Sequence, residues 1–149
     1  MFIFDLDHTV IDSSHRQSTL PCGSLDLANW IENNTPENIS RDTLLPLADL
    51  WKTLDKQGKT IGVCTARVLQ DADYEFLADN GLQYDFILSR PMGDNTGDAD
   101  LKERLLGEQG IKPDEITAFF DDNEGVLARL RELNIQAFDA KILNLNEEY

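Results

Sequence analysis

The amino-acid sequence predicts an α/β fold in which helices cover both faces of a doubly wound, Rossmann-like parallel sheet of five strands. Short apolar runs rich in β-branched and aromatic residues alternate along the chain with segments of roughly ten to fifteen residues at helical spacing. Strands separated by helices of this length favour parallel pairing with right-handed crossovers. Acidic, hydroxyl and basic residues stand at or just after the carboxyl ends of several predicted strands. In an open α/β sheet, ligands bind beyond these ends.

The first strand is predicted at Phe2-Ile3-Phe4, a short run of aromatic and β-branched residues. The polar segment from Val10 to Asp42 has no strong periodicity, although it holds a short helical pattern that ends at Trp30. Because long loops without regular structure are uncommon in compact domains and are usually functional, residues 11–43 are predicted to form a small lid-like insertion. Trp30 is interpreted as lid packing, with stacking on a base as the alternative.

The rest of the chain alternates helices and strands. Leu47, Trp51 and Leu54 recur at helical spacing, and Gly58 and Gly81 end the first two helices. Each strand is a short apolar run bounded by turn residues. The predicted elements are a helix at Leu44–Gln57, a strand at Thr60–Thr65, a helix at Leu69–Asn80, a strand at Tyr84–Ser89, a helix at Ala99–Gln109, a strand at Ile116–Phe120, a helix at Glu124–Leu133 and a strand at Ile135–Phe138.

The composition is that of a globular protein with an unusually acidic balance. The 149 residues are 41% hydrophobic and 28% charged, which fits a single domain spanning residues 1–149. The net charge of −15 repels nucleic-acid backbones and anionic membranes, and it suits a protein that holds a divalent cation. The sequence has no membrane-spanning run and no basic leader. We therefore expect a cytoplasmic protein with no membrane partner and no extended nucleic-acid groove.

Residues that suit phosphate chemistry stand at four places in chain order. Asp5 and Asp7 follow the first strand, Thr65 ends the second, Lys102 lies on the helix after the third, and Asp121-Asp122 follows the fourth. This order resembles the four motifs of the haloacid dehalogenase superfamily, most of whose members are phosphatases that form a phospho-aspartate. The resemblance spans nearly the whole chain, and it implies the same fold and the same chemistry.

A narrower resemblance is carried by Thr65-Ala66-Arg67, Arg90-Pro91 and the segment from Asp98 to Lys102. These stretches are similar to the phosphatase module of phage-type polynucleotide kinases and to related small phage phosphatases. Gly58-Lys59-Thr60 lacks the preceding glycine and the strand-to-helix context of a P-loop, so no kinase site is predicted. Since the first strand begins at residue 2, a stand-alone phosphatase is expected.

The superfamily resemblance implies a role for each acidic residue. Asp5 is implied to attack phosphorus and to ligate Mg²⁺, while Asp7 offers its backbone carbonyl to the ion. The Asp7 side chain is implied to protonate the leaving oxygen and then to activate water. Asp122 is implied to bind Mg²⁺ directly, and Asp121 to act through water or neighbouring hydrogen bonds.

The basic and hydroxyl residues are implied to handle the phosphate. Lys102 supplies a compact cation beside the nucleophile, and Thr65 donates its hydroxyl to a phosphate oxygen. Arg67 and Arg90 are expected to contact the substrate as anion clamps. Thr9 is expected either to bind the substrate or to orient the loop after the first strand.

The predicted function is a Mg²⁺-dependent phosphomonoesterase acting on a nucleotide or on a polynucleotide 3′-phosphate end. The chain has only 13 basic residues against 28 acidic ones, so few are left to bind a nucleic-acid backbone. Arg16 and Arg41 are the candidates for one or two such contacts. The enzyme is therefore expected to bind only the terminal nucleotide. A phosphatase of another small phosphorylated metabolite is one alternative. A non-catalytic module that keeps the fold for binding is the other.

Overall fold

The computed structural model describes residues 1–16 and 35–145 of the protein. Its centre is a parallel sheet of five strands with the spatial order β5-β4-β1-β6-β7, which confirms the predicted doubly wound sheet. A small antiparallel ribbon of β2 and β3 stands apart from this sheet. The strands are β1 (Phe2–Phe4), β2 (Ile11–Asp12), β3 (Thr43–Leu44), β4 (Ile61–Thr65), β5 (Phe86–Ser89), β6 (Ala118–Asp121) and β7 (Ala137–Asp139).

Helices cover both faces of the sheet, because successive side chains of a strand point to opposite sides. Phe4, Val63 and Phe120 belong to one apolar cluster, whereas Ile3 and Cys64 belong to the other. The first cluster is closed by α2, α3 and α6, and the second by α4 and α5. The helices are α1 (Pro36–Ile39), α2 (Leu47–Lys56), α3 (Asp71–Asp79), α4 (Asp98–Glu108), α5 (Glu124–Glu132) and α6 (Ala140–Leu145).

An aromatic stack beneath β1 anchors the first cluster. The ring centroids of Phe4 and Trp51 are 5.1 Å apart, and those of Phe4 and Phe120 are 4.8 Å apart. Trp51 is completely buried, and its indole N–H donates to the Gln83 carbonyl at 2.7 Å. Aromatic pairs of this kind add to the stabilisation from burial alone. The stack therefore stabilises β1, the strand that leads directly into Asp5.

Several element boundaries differ from the predicted ones for local reasons. The strand predicted from Tyr84 begins at Phe86, because Asp85 is used to accept a hydrogen bond from the Ile61 N–H at 2.8 Å. The helix predicted from Leu44 begins at Leu47, because Leu44 pairs in the β2–β3 ribbon. Helix α6 and the ribbon were not predicted. The helical pattern that ends at Trp30 lies outside the described residues, so the lid stays a prediction.

Within residues 1–16 and 35–145, no helix combines the length and the apolar character needed to cross a membrane.

Gly62 in β4 leaves no room for a side chain, because it packs against the Phe86 ring. A Cβ at this position would lie 2.1 Å from Cζ of the Phe86 ring. We expect Gly62→Ala to destabilise the protein by about 1–3 kcal/mol, the usual cost of overpacking a core. Gly107→Ala on α4 is the control, since the added carbon meets nothing within 4 Å and should stabilise by about 0.4–1 kcal/mol. Denaturant unfolding measures both changes, and a Gly62→Ala protein as stable as wild type would contradict the expectation.

Candidate active site

Parallel pairing brings the functional residues together at one edge of the sheet. In the register, Phe4 lies opposite Val63 on one side and Phe120 on the other. Asp5 follows β1 directly, and its N–H donates to the Phe120 carbonyl at 2.9 Å. Asp121, the last residue of β6, is therefore a neighbour of Asp5. The carboxyl ends of β1, β4 and β6 thus form the floor of the candidate site.

Three carboxylates lie close together on this floor, and one lysine contacts two of them. Carboxylate oxygens of Asp5, Asp121 and Asp122 lie within 4.8 Å of one another. The Nζ of Lys102 donates to Asp5 Oδ1 at 2.8 Å and to Asp121 Oδ2 at 2.5 Å. Asp5, Lys102 and Asp121 are all buried. The buried Lys102 cation therefore contacts two of three closely spaced carboxyl groups, and the site has an excess of negative charge when all three are ionised.

This excess of charge changes the pKa values of the group. Burial, followed by the nearby charge of Asp5, raises the pKa of Asp121 to about 7 and that of Asp122 to about 8. A hydrogen bond between the Asp5 and Asp122 side chains adds to the second shift, and such a bond needs a shared proton. Burial opposes the charged form of Lys102, but Asp5 and Asp121 overcome it and raise the lysine pKa. A divalent cation that replaced the shared proton would suit this group of carboxylates.

The loop after β1 contacts the Asp5 carboxylate through Thr9. The Thr9 hydroxyl donates to Asp5 Oδ2 at 3.0 Å and is completely buried. Thr9 therefore contacts the Asp5 carboxylate directly, and its predicted substrate contact stays a prediction. The Leu6 carbonyl accepts from the N–H groups of Thr9, Val10 and Ile11, so the loop is a tight turn. His8 occupies its positive-φ position, at φ 60°.

Asn144 on α6 fastens this loop from far along the chain. Its amide nitrogen donates to the Thr9 carbonyl at 2.9 Å, and its amide oxygen accepts from the Leu47 N–H at 2.9 Å. One side chain thereby ties the C-terminal helix to the first motif and to the start of α2. Sequence reasoning missed Asn144, because a residue 135 positions away from its partner leaves no local pattern.

Arg67 lies beside Asp7 instead of on an open surface. Its Nε donates to Asp7 Oδ2 at 2.7 Å and its Nη2 to Asp7 Oδ1 at 2.6 Å, a bidentate pair. The Ser13 hydroxyl also donates to Asp7 Oδ1, at 2.7 Å. Thr65 is completely buried, and its hydroxyl oxygen accepts from the Arg67 N–H at 3.0 Å. The structure therefore joins Thr65, Arg67 and Asp7, while the predicted phosphate contacts of Thr65 and Arg67 stay predictions.

The Arg90 N–H donates to the Arg67 carbonyl at 3.0 Å, while the Arg90 side chain holds a neighbouring loop. Its Nε donates to the Ala66 carbonyl at 2.8 Å, and its Nη1 to the carbonyls of Asp94 and Thr96 at 2.9 and 2.6 Å. Its Nη2 donates to Asp98 Oδ1 at 2.9 Å. The guanidinium thus links the end of β4 to the start of α4, the helix that presents Lys102. Its expected substrate contact stays a prediction.

Comparisons with known proteins agree with the fold. A family model described as the bacteriophage T5 5′-deoxynucleotidase matches residues 1–148. The 5′-deoxynucleotidase of Escherichia phage T5 is 28% identical over 169 aligned positions, which cover 97% of this chain and 68% of that protein.

Solved structures show the same architecture. A chain of a Pnkp1/Rnl/Hen1 complex matches with a TM-score of 0.70 at 25% identity, over 93% of this chain and 44% of that chain. The protein therefore spans less than half of that relative. A haloacid dehalogenase-like hydrolase from Streptococcus pneumoniae matches with a TM-score of 0.68 at 16% identity, over 99% and 91% of the two chains. Because the family model matches almost every residue, the protein belongs to the bacteriophage T5 5′-deoxynucleotidase family and is a phosphatase with the haloacid dehalogenase fold.

Proposed function

We propose that the protein is a Mg²⁺-dependent phosphatase that removes the 5′-phosphate of a deoxynucleoside monophosphate through a phospho-aspartate at Asp5. The observation that carries this proposal is the buried Asp5 carboxylate, held between Lys102 and Thr9 and next to Asp121 and Asp122. The choice of substrate is supported by the family description and by the phage T5 relative.

Asp5 has the features of a positioned nucleophile. Lys102 donates to one of its oxygens and the Thr9 hydroxyl to the other, so the rotation of the carboxylate is fixed. In the first half-reaction an Asp5 oxygen forms a bond to phosphorus and the bond from phosphorus to the nucleoside oxygen breaks. Lys102 reduces the repulsion between the anionic phosphate and the carboxylate that attacks it.

Asp5 and Asp122 are the side chains that would hold Mg²⁺, together with the Asp7 carbonyl. Their oxygen donors are the hard ligands that this ion prefers, and the close oxygens of Asp5, Asp121 and Asp122 fit such a site. When bound, the ion would neutralise charge between the carboxylates and the phosphate oxygens. Asp121 would act indirectly, because its oxygens already accept from Lys102 and from the Asn123 N–H.

Asp7 is the proposed general acid and base. Its side chain is 22% exposed, which leaves it more open to a substrate than the 8% of the Asp5 side chain. In the first half-reaction Asp7 gives a proton to the departing nucleoside oxygen. In the second it takes a proton from the water that attacks phosphorus, and the bond between Asp5 and phosphorus breaks.

A substrate panel tests the proposed specificity. We expect deoxynucleoside 5′-monophosphates to have a higher kcat/KM than 3′-monophosphates, 3′-phosphorylated oligonucleotides and sugar phosphates, and EDTA to remove activity. Because 28 acidic residues outnumber 13 basic ones, lengthening the substrate should add little. The salt dependence should stay well below the roughly 0.9 log units expected for each duplex phosphate contact.

The other substrates in the panel distinguish between the alternative functions. The polynucleotide 3′-phosphate end is the second candidate, favoured by the resemblance of Thr65-Ala66-Arg67, Arg90-Pro91 and residues 98–102 to the phosphatase module of phage-type polynucleotide kinases. A clear preference for 3′-phosphorylated oligonucleotides with a steep salt dependence would replace our proposal with an end-repair activity. Preference for a sugar phosphate would indicate a metabolite phosphatase. Binding of nucleotides without hydrolysis of any phosphomonoester would indicate a binding module.

A further inference from the structure

We propose that Asp42 and Asp73 are positioning residues for catalysis, because they fix the arginine that orients Asp7. The inference rests on the proposed role of Asp7 as general acid and base. Arg67 Nη1 donates to Asp73 Oδ1 at 2.5 Å, and Arg67 Nη2 is 3.2 Å from Asp42 Oδ2. Together with the bidentate pair to Asp7, these contacts place three carboxylates around one guanidinium.

Arg67 has more carboxylate partners than the burial of one guanidinium requires. A buried arginine needs an opposite charge, and the bidentate pair with Asp7 already supplies one. Asp42 and Asp73 are therefore not needed to neutralise Arg67 itself, and burying each carboxylate carries a desolvation cost. The effect of Asp42 and Asp73 is geometric, because they accept hydrogen bonds from different nitrogens of the planar guanidinium. Together they fix its position and the plane of its fork of N–H groups. The orientation of Asp7 follows from the orientation of that fork.

Each supporting carboxylate is itself fixed by a different part of the fold. Asp73 lies in the first turn of α3, and its Oδ2 accepts from the Gln70 N–H at 2.8 Å. Asp42 follows α1, and its Oδ1 is 2.7 Å from the His15 Nε2. The two side chains are almost completely buried, at 1% and 0% exposed. Asp42 and Asp73 therefore transmit the positions of two helices to the Arg67 guanidinium.

A positioning role and a purely structural role predict different kinetics. General acid catalysis matters most when the leaving oxygen is a poor leaving group, as in a nucleotide, and least for an activated aryl phosphate. Misplacement of Asp7 should therefore slow nucleotide hydrolysis selectively. A loss of folded protein would instead lower the rates with both substrates equally.

The experiment compares Asp42→Asn and Asp73→Asn with Asp7→Asn, using a deoxynucleoside 5′-monophosphate and an aryl phosphate. We expect Asp7→Asn to lower kcat for the nucleotide by about 10²-fold or more, and the aryl phosphate far less. Asp42→Asn and Asp73→Asn should show the same selective loss at roughly 10-fold, mainly in kcat, because a small misplacement of a catalytic group is costly. Asp42→Glu should recover part of the lost kcat for the nucleotide.

Controls separate failure of this inference from failure of the proposed function. Asp85→Asn alters a carboxylate that accepts from Ile61 N–H at the other end of β4, and it should leave the ratio of the two rates unchanged. If Asp7→Asn shows the selective loss and neither supporting variant does, the positioning role is wrong. If Asp7→Asn itself loses both rates equally, the acid–base assignment fails and the inference falls with it. Melting temperatures show how much of each loss comes from unfolding.

Discussion

Asp5→Asn is expected to abolish phosphatase activity, with kcat lowered by roughly 10⁴-fold or more, as when other covalent nucleophiles are removed. An amide oxygen is a poor nucleophile. The single amide oxygen can still accept from Lys102, while the amide NH2 takes the place of the second carboxylate oxygen and can donate to the Thr9 hydroxyl oxygen. The variant also removes one of three carboxylates whose oxygens lie within 4.8 Å of one another. Its melting temperature without metal should therefore not fall below that of the wild type.

The measurement is steady-state hydrolysis of a deoxynucleoside 5′-monophosphate, with melting temperatures recorded for each preparation. Asp49→Asn is the matched control, because it makes the same chemical change at an exposed position in the first turn of α2. It should keep wild-type activity. Beryllium fluoride with Mg²⁺ should stabilise the wild type but not Asp5→Asn. Full activity in Asp5→Asn, purified free of other phosphatases, would rule out a phospho-aspartate at this residue.

The residues of the first, third and fourth motifs could be located from sequence because they stand next to regular elements. Asp5 and Asp121 lie at the ends of β1 and β6, and parallel strands end at the same edge of a sheet. Lys102 is one turn into α4, which starts beside that edge. Short apolar strands are recognisable from composition, so the positions of these residues followed from the order of the elements.

The contacts that orient those residues could not be predicted, because they join distant parts of the chain. Asp42 and Asp73 meet at Arg67 from α1 and α3, and Asn144 reaches Thr9 from α6. Elements of two to six residues, such as β2, β3 and α6, are too short to show a period. The residue type of Arg67 indicated an anion partner, but type alone does not distinguish a phosphate from a carboxylate.

Mg²⁺ is expected to bind more tightly as the pH rises, and to displace protons from the carboxylate cluster. The pKa of Asp121 is raised from 3.8 to about 7 and that of Asp122 from 3.8 to about 8, by burial and by the charge of Asp5. Each group is protonated below its folded pKa. Asp122 must lose its proton to become a charged ligand, and Asp121 must lose its proton to supply negative charge beside the ion. For each proton displaced, the affinity should rise by roughly tenfold per pH unit below that pKa.

The same shifts fix the sign of the pH dependence of stability. A carboxyl group whose pKa is raised on folding does not destabilise the folded state below its unfolded pKa, because it is protonated in both states. Asp121 and Asp122 therefore do not destabilise the metal-free protein below pH 3.8. As the pH rises towards about 8, the unfolded chain ionises first, and the metal-free protein loses stability. Mg²⁺ should reverse this loss, so the rise in melting temperature on adding Mg²⁺ should be small at about pH 5 and largest near pH 8.

Calorimetric titration in buffers of different ionisation enthalpy measures the protons released, and thermal melts with Mg²⁺ or EDTA measure the stabilisation. Asp122→Asn should lose most of the Mg²⁺ affinity and most of the proton release, because it removes the less buried carboxylate, the one that shares its proton with Asp5. Asp49→Asn should change neither quantity, since its carboxylate is exposed and lies on α2. A Mg²⁺ affinity that stays constant between about pH 5 and 8, without proton release, would show that the ion binds outside this cluster or that the cluster is already ionised.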